Sequence, residues 1–249
     1  MKVSIITAVL NNRESLRDNL ESVADQTYPD VEHLIIDGGS TDGTVEVLRA
    51  CNAGGLRWSS EPDRGIYDAL NKGLRRATGE VIGILHGDDV YAHRHVLEEV
   101  ADVFRTRQVD SCYGDLQYVD KGNIDQVVRL WKSSPFKAGK FRYGWMPPHP
   151  TFFAKREIYE RFNGYNPEFR IAGDYELMLR FLEIHKISTH YIPEVLVKMR
   201  VGGVSNRSLG DMLLKTREDY RAWKVNRRSV PLCTIFLKHL VKIPQFLRT

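Results

Sequence analysis

The chain has 249 residues, 42% hydrophobic and 27% charged, the balance of a soluble globular protein that can build a core of ordinary size. A formal net charge of +4 is too small to single out nucleic acid or an anionic membrane as partner, and no run of 18 apolar residues offers a membrane span. The scattered cysteines Cys51, Cys112 and Cys233 form neither a CxxC pair nor a zinc spacing, so a reducing, cytoplasmic compartment is expected.

The opening MKVSIITAVLNN carries one lysine and a short apolar run that stops at Asn11 and Asn12, which reads as a first strand (Val3–Val9) rather than a signal peptide. Residues 13–25 follow with Leu16, Leu20, Val23 and Ala24 at helical spacing. Residues 33–37 (HLIID) predict a second buried strand. Thr44–Ala50 predicts a helix capped by Ser40, Thr41 or Asp42. Leu56–Ser60 is a weaker strand, Ile66–Arg76 a helix, and residues 80–85 (EVIGIL) a fourth strand. Strand and helix alternating over short connections predict a mostly parallel sheet covered on both faces.

Beyond Asp89 the pattern loosens. Residues 95–105 read as a helix, and DSCYGDLQYV and DQVVRLW as antiparallel strands around a KGN turn. Residues 133–150, rich in Pro, Gly, Lys and aromatics, form a functional loop, and residues 175–185 an amphipathic helix with Leu177, Met178, Phe181 and Leu182 on one side. A VGGVSN loop and a basic helical tail follow. The fold class expected is α/β: a mostly parallel central sheet with helices on both faces and a smaller antiparallel portion. Residues 1–207 make the domain, in two parts (1–90 and 91–207), and 208–249 the tail.

Ligands of open α/β sheets sit beyond the carboxyl ends of the strands. Four polar clusters follow the four predicted strands: Asn11-Asn12, the DGGSTDG beginning at Asp37, the EPDR that contains Asp63 and Arg64, and Asp88-Asp89. If the strands are parallel, all four share one edge. DGGSTDGT matches neither GxGxxG nor GxxxxGK[ST]. A tight turn with an N-cap explains Ser40 to Gly43 but leaves Asp37, at the end of a buried strand, free for a ribose or base. Asp88 and Asp89 are either a solvated turn or the carboxylates of a hard divalent cation that clamps a diphosphate. HExxH is absent, which argues against zinc.

Three stretches carry a specific resemblance: SIITAVLNNRESLRDNLESVADQTYPDVEHLIIDGGSTDGT, EPDRGIYDALNKGLRRATGEVIGILHGDD, and HPTFFAKREIYERFNGYNPEFRIAGDYELMLR. They resemble the inverting glycosyltransferases of family 2 with the GT-A fold, of the bacterial polysaccharide-biosynthesis kind, across most of residues 3–203. The resemblance implies transfer from a nucleoside diphosphate sugar, UDP by default, to a saccharide or lipid-linked acceptor. Asp37 would meet the base or ribose, and Asp63 or Arg64 would line the same pocket. Asp88 and Asp89 would be the DxD-type motif, with Asp89 on Mg²⁺ or Mn²⁺ and Asp88 against the ribose or a metal water. Asp174, in GDYEL, would inherit the general base of the family's "ED" motif, with Gly173 in place of the usual acidic neighbour.

Three further residues keep two readings each. Arg180 is a phosphate ligand or an ion-pair partner of Glu176 or Glu183. His149, between prolines in PPHPTFF, faces the acceptor or is an exposed loop histidine. Arg200 with the GGVSN after it closes over the diphosphate or forms a plain turn. The tail PLCTIFLKHLVKIPQFLRT is basic and amphipathic, suited to lying on an anionic inner membrane face or docking on the domain. Two rivals differ in testable ways. A sugar-phosphate nucleotidyltransferase would carry a Gly-rich basic loop where AVLNNRE stands. A non-catalytic nucleic-acid binder would leave the acidic edge unexplained, and no nucleic-acid partner is expected.

Overall fold

The computed structural model describes residues 1–51, 54–202, 209–229 and Thr234. Its first four strands are β1 (Val3–Val9), β2 (Val31–Asp37), β3 (Leu56–Ser60) and β4 (Val81–Ile84). They lie parallel in the spatial order β3-β2-β1-β4. Helices α1 (Leu16–Ala24), α2 (Thr44–Ala50) and α3 (Ile66–Arg76) connect them. β1 and β2 are apolar on both faces because both faces are covered: Val3 and Ile5 enter one buried cluster and Ile6 another.

The sheet continues through strands that sequence periodicity marked less well. β5 (Val90–Tyr91) is two residues long, and helix α4 (Val96–Arg107) leads to β6 (Ser111–Val119) and β7 (Val127–Trp131), an antiparallel pair. β8 (Phe153–Lys155) runs antiparallel to both β4 and β6. β9 (Thr189–Arg200) lies parallel to β6, with bulges that shift the register around Asp115. These strands extend the order to β4-β8-β6-β9-β5.

Neither β8 nor β9 was expected. β8 is too short to show a period. β9 contains Pro193, and its bulged pairing breaks the alternation that identifies a strand. Helix α5 (Arg156–Phe162) follows β8, and the helix expected over 175–185 begins two residues earlier and is in two parts. α6 (Gly173–Met178) passes into a π-helical turn at Leu179–Ile184.

The last described helix, α7 (Leu209–Val225), lies within the expected tail and packs against α6. Trp223 is buried in the main core and donates from Nε1 to the Tyr175 hydroxyl at 2.9 Å. The expected boundary at 207/208 therefore separates two elements that pack together. Gly203 to Asn206 of the VGGVSN loop and nearly all of residues 230–249 lie outside the described residues. Among the described residues no helix is long and apolar enough to cross a membrane.

A buried carboxylate ties the start of the parallel sheet together. Glu32 accepts from the Ser4 hydroxyl, the Thr78 N–H and hydroxyl, and the Gly79 N–H, with Lys2 Nζ at 3.3 Å and Arg57 Nη1 at 3.3 Å. Desolvation by burial raises its pKa, but the Ser4 and Thr78 hydrogen bonds and the Lys2 charge outweigh it and bring the value from 4.5 down to about 2. A depressed carboxylate stabilises the fold above its unfolded pKa and loses that contribution as pH falls through the folded value. Glu32→Gln is therefore expected to cost about 3 kcal/mol at neutral pH. It should also flatten the fall in stability between pH 4.5 and 2, read by denaturant melts at stepped pH. Parallel wild-type and variant curves across that window would show that Glu32 does not hold this corner.

Candidate active site

The parallel registry brings the four polar clusters to one edge. Val9 pairs with Asp37 and Asp37 with Ser60, so the chain leaves β1, β2 and β3 at one level, and β4 ends alongside at Ile84. The first two loops are stitched together. Asn11 accepts from the Thr41 N–H at 2.9 Å, the Ser40 hydroxyl accepts from the Asn11 N–H at 2.7 Å, and Asp42 accepts from the Arg13 N–H at 3.0 Å.

Asp37 is fully buried, and its carboxylate accepts from the N–H groups of Gly39 and Ser40 and from the hydroxyls of Ser40 and Ser60. It organises the loop that a ligand would meet. Asp63, on the neighbouring loop, sits nearer the surface and accepts from the Gly65 N–H at 2.8 Å. A Cβ at Gly38 would lie 2.5 Å from Asp63 Oδ2, so the missing side chain is what admits the Asp63 carboxylate to this mouth. Leu10, 59% exposed, borders the same spot. The Arg64 guanidinium points to solvent and pairs with Asp68 at 3.6 Å.

After β4 the turn His86 to Asp89 closes with the Asp89 N–H donating to the His86 carbonyl. Asn19 of α1 holds the turn from below, donating to the carbonyls of His86 and Asp89 at 2.9 Å each. Asp89 is 1% exposed, and neither of its carboxylate oxygens makes a hydrogen bond. Burial first, then the adjacent Asp88 charge, push its pKa well above the aspartate range, offset only in part by the nearby Arg200. A buried, unpartnered carboxylate beside a second one fits a divalent cation held through oxygen ligands.

Arg200 lies under this turn. Its guanidinium donates to the Asp88 carbonyl at 2.7 Å, to the Lys121 carbonyl at 3.1 Å, and to the Asp18 carboxylate. With these bonds made and 7% of the residue exposed, Arg200 braces the Asp88–Asp89 backbone instead of covering a diphosphate. Arg180 likewise takes the structural one of its two readings. It pairs with Glu176 at 2.8 Å and binds the carbonyls of Phe162, Asn163 and Gly164, while Glu183 accepts from the Gly139 N–H.

Asp174 stands in the first turn of α6, where the N-terminal helix dipole favours its ionised form. His149, in a short 3₁₀ turn with Pro148 and Pro150 about it, brings Nε2 to 4.0 Å from Asp174 Oδ2. The Tyr67 hydroxyl lies 3.4 Å from the same oxygen, donates to the Ile171 carbonyl at 2.8 Å and accepts from the Gly173 N–H at 2.8 Å. Desolvation raises the Asp174 pKa, with His86 and the Tyr67 hydrogen bond pulling it back. His86 is lowered by burial and by repulsion from His149, against the charges of Asp174 and Asp88. His86 thus lies within electrostatic reach of both Asp88 and Asp174.

Gly173 now has a physical reason. A Cβ there would meet the Tyr67 ring at 2.6 Å, so the tyrosine fills the space that a larger neighbour of Asp174 would need. Gly173→Ala is expected to destabilise the protein by about 1–3 kcal/mol through overpacking, roughly 2–4 °C of Tm per kcal/mol at this size. An unchanged melting temperature would show that Tyr67 can step aside.

Three site residues escaped the sequence reading. Tyr67 carries no signal of its own within the helix predicted over residues 66–76. His86, next to GDD, has no metal-ligand spacing to another histidine in the sequence. Glu218 of α7 accepts from the N–H groups of Arg170, Ile171 and Ala172 at 2.8, 2.9 and 2.8 Å, fixing the approach to α6. Its only signal was being one of two acids in a basic stretch.

Residues 4–169 match the sequence profile described as glycosyl transferase family 2. An uncharacterized glycosyltransferase of Mycobacterium tuberculosis is 33% identical over 183 residues, 72% of this chain and 68% of that protein. A PGL/p-HBAD biosynthesis glycosyltransferase of Mycobacterium bovis is 29% identical over 217 residues, 85% and 82% of the two chains. Among solved structures, residues 1–349 of TarS from S. aureus superpose with a TM-score of 0.72 at 18% identity, covering 97% of this chain and 72% of that one. The chain spans 43% of a longer TarS structure. A mannosyltransferase of Pyrobaculum calidifontis, solved with GDP-Man and Mn²⁺, gives 0.68 at 20% identity, covering 96% and 68%. These likenesses establish the GT-A architecture. The profile match ends at residue 169, five residues before Asp174.

Proposed function

The chain belongs to glycosyl transferase family 2, and from that premise we propose that it moves a sugar, with inversion at the anomeric carbon, from a nucleoside diphosphate donor to a hydroxyl of a saccharide or lipid-linked saccharide. One observation carries the reading: a buried, unpartnered Asp89 beside Asp88, on the same strand edge as Asp37 and Asp63. Support for the donor class comes from the fold neighbours, since TarS 1-349 was solved with UDP-GlcNAc and the P. calidifontis enzyme with GDP-Man. The M. bovis relative is named a PGL/p-HBAD biosynthesis glycosyltransferase, which supports sugar transfer in a biosynthetic setting.

In this reading the nucleoside rests on the 37–43 loop, its shape set by Asp37, with Asp63 and the exposed Leu10 facing the base. Asp89, with Asp88 beside it, holds Mg²⁺ or Mn²⁺. Such an ion, when bound, supplies Lewis-acid stabilisation of the departing diphosphate. Asp174 takes the proton of the acceptor hydroxyl as that oxygen forms its bond to the anomeric carbon. The bond from that carbon to the diphosphate oxygen breaks in the same displacement, which inverts the centre. Tyr67 and the α6 terminus orient the carboxylate, and His149 borders the acceptor.

Calorimetric titration with UDP, GDP and dTDP, with and without Mn²⁺, tests the donor site. Metal-dependent binding of one nucleotide is the expected result. No binding of any of the three in either condition would remove the donor site from this edge.

A further inference from the structure

His86, His149 and Asp174 offer one ligand atom each, all within 4.8 Å of one another. They come from three separate parts of the chain: the turn after β4, the 3₁₀ turn before β8, and the first turn of α6. Three atoms so spaced enclose a point no more than 4.8 Å/√3, about 2.8 Å, from each. Bonds to Zn²⁺ run about 2.0–2.2 Å, so side-chain rotations of under about 1 Å close the set. The rings of His86 and His149 lie 5.4 Å apart, tilted by 54°, in a splayed arrangement that two imidazoles on one ion can take. Nδ1 of His86 is buried and has no hydrogen-bond partner.

We propose that His86, His149 and Asp174 form a second cation site, distinct from the oxygen-only pair Asp88–Asp89, which takes borderline transition ions such as Zn²⁺ or Co²⁺. Two imidazoles and one carboxylate suit those ions, whereas Asp88 and Asp89 suit Mg²⁺ and Mn²⁺. Three protein ligands leave a coordination position open. The occupant holds the very carboxylate that the proposed reaction uses as base. An ion there makes Asp174 a ligand and withholds it from the acceptor proton, so Zn²⁺ inhibits an enzyme that Mn²⁺ supports. Binding stands independently of the transferase reading; the inhibition rests on it.

Co²⁺ alone is the probe, added to full-length, untagged, metal-stripped protein. A four- or five-coordinate site with nitrogen ligands gives a strong visible absorption that an octahedral oxygen site lacks. Wild type and Asp89→Asn are expected to bind one Co²⁺ with that spectrum. His86→Ala and His149→Ala should weaken it by more than about 100-fold, since loss of even a partner behind a ligand costs about 10–100-fold. Asp174→Asn, which keeps shape and volume, serves as the ligand variant should either histidine variant fail to fold by circular dichroism.

Absence of the strong spectrum, its loss in Asp89→Asn, or its persistence in the histidine variants would each overturn the site. The last result would assign the ion elsewhere, as to the His93–His95 pair. A second arm adds Zn²⁺ to a transfer assay run in excess Mn²⁺. Cobalt binding without zinc inhibition would leave the site standing and remove Asp174 as base.

Discussion

Asp174→Asn is expected to bind the donor nucleotide as the wild type does and to transfer sugar about 10²–10⁴ times more slowly, the usual worth of a positioned general base. The amide keeps the shape of the carboxylate and its contact with Tyr67, but it cannot take a proton. Loss in kcat with an unchanged donor affinity separates this from damage to the nucleotide edge. The variant should also melt no lower than the wild type, because it removes a carboxylate that burial already disfavours in its ionised form. The pH profile gives a second reading. A base must be ionised to work, and desolvation raises this one, so the acid limb of kcat/KM should lie above the ordinary aspartate range and vanish in the variant. A variant with nearly full kcat would move the base to another residue.

Asp89→Asn is expected to separate stability from function. The folded, metal-free protein keeps a carboxylate 1% exposed, without a hydrogen bond and next to Asp88. An unsatisfied buried polar group costs about 1–3 kcal/mol, and more when charged. The amide is still unsatisfied but uncharged, so the substitution should raise stability by the charged part of that cost, about 1 kcal/mol, roughly 2–4 °C of Tm at this chain length. The same change should abolish the Mn²⁺ dependence of nucleotide binding. Thermal melts with and without Mn²⁺ read both effects, since a ligand that binds only the folded state raises Tm. The wild type should rise with Mn²⁺ plus nucleotide, and the variant should start higher and stay level. A variant that melts lower and still responds to the ion would show that Asp89 is satisfied in the apo protein and is not the ligand.

The sequence revealed much of this site because the parallel half is built from local signals. Apolar runs of four to seven residues, each followed by polar residues and then a helical period, are enough to put Asp37, Asp63, Asp88 and Asp89 on one edge. The roles of the arginines were harder to read, because they depend on partners distant in the chain. Arg200 reaches Asp18 and the Asp88 carbonyl, and Arg180 reaches back to residues 162–164. Tyr67 and Gly173 became legible only as a pair, since the glycine's meaning is the ring that fills its place. β9 stayed hidden because its bulges and Pro193 break the two-residue period, and its partner β6 lies some 80 residues earlier.

The bond from Arg200 to Asp18 spans 182 residues. Protein synthesis runs at about 5–20 residues per second, so Asp88 and Asp89 leave the ribosome several seconds before the arginine that braces their turn. The four parallel strands come from the first 84 residues, but β8, β6 and β9 must be added before Arg200 reaches its place. A nascent chain stopped short of residue 200 therefore carries the acidic pair without its brace. Competence at that turn is acquired late, as the far half of the sheet closes.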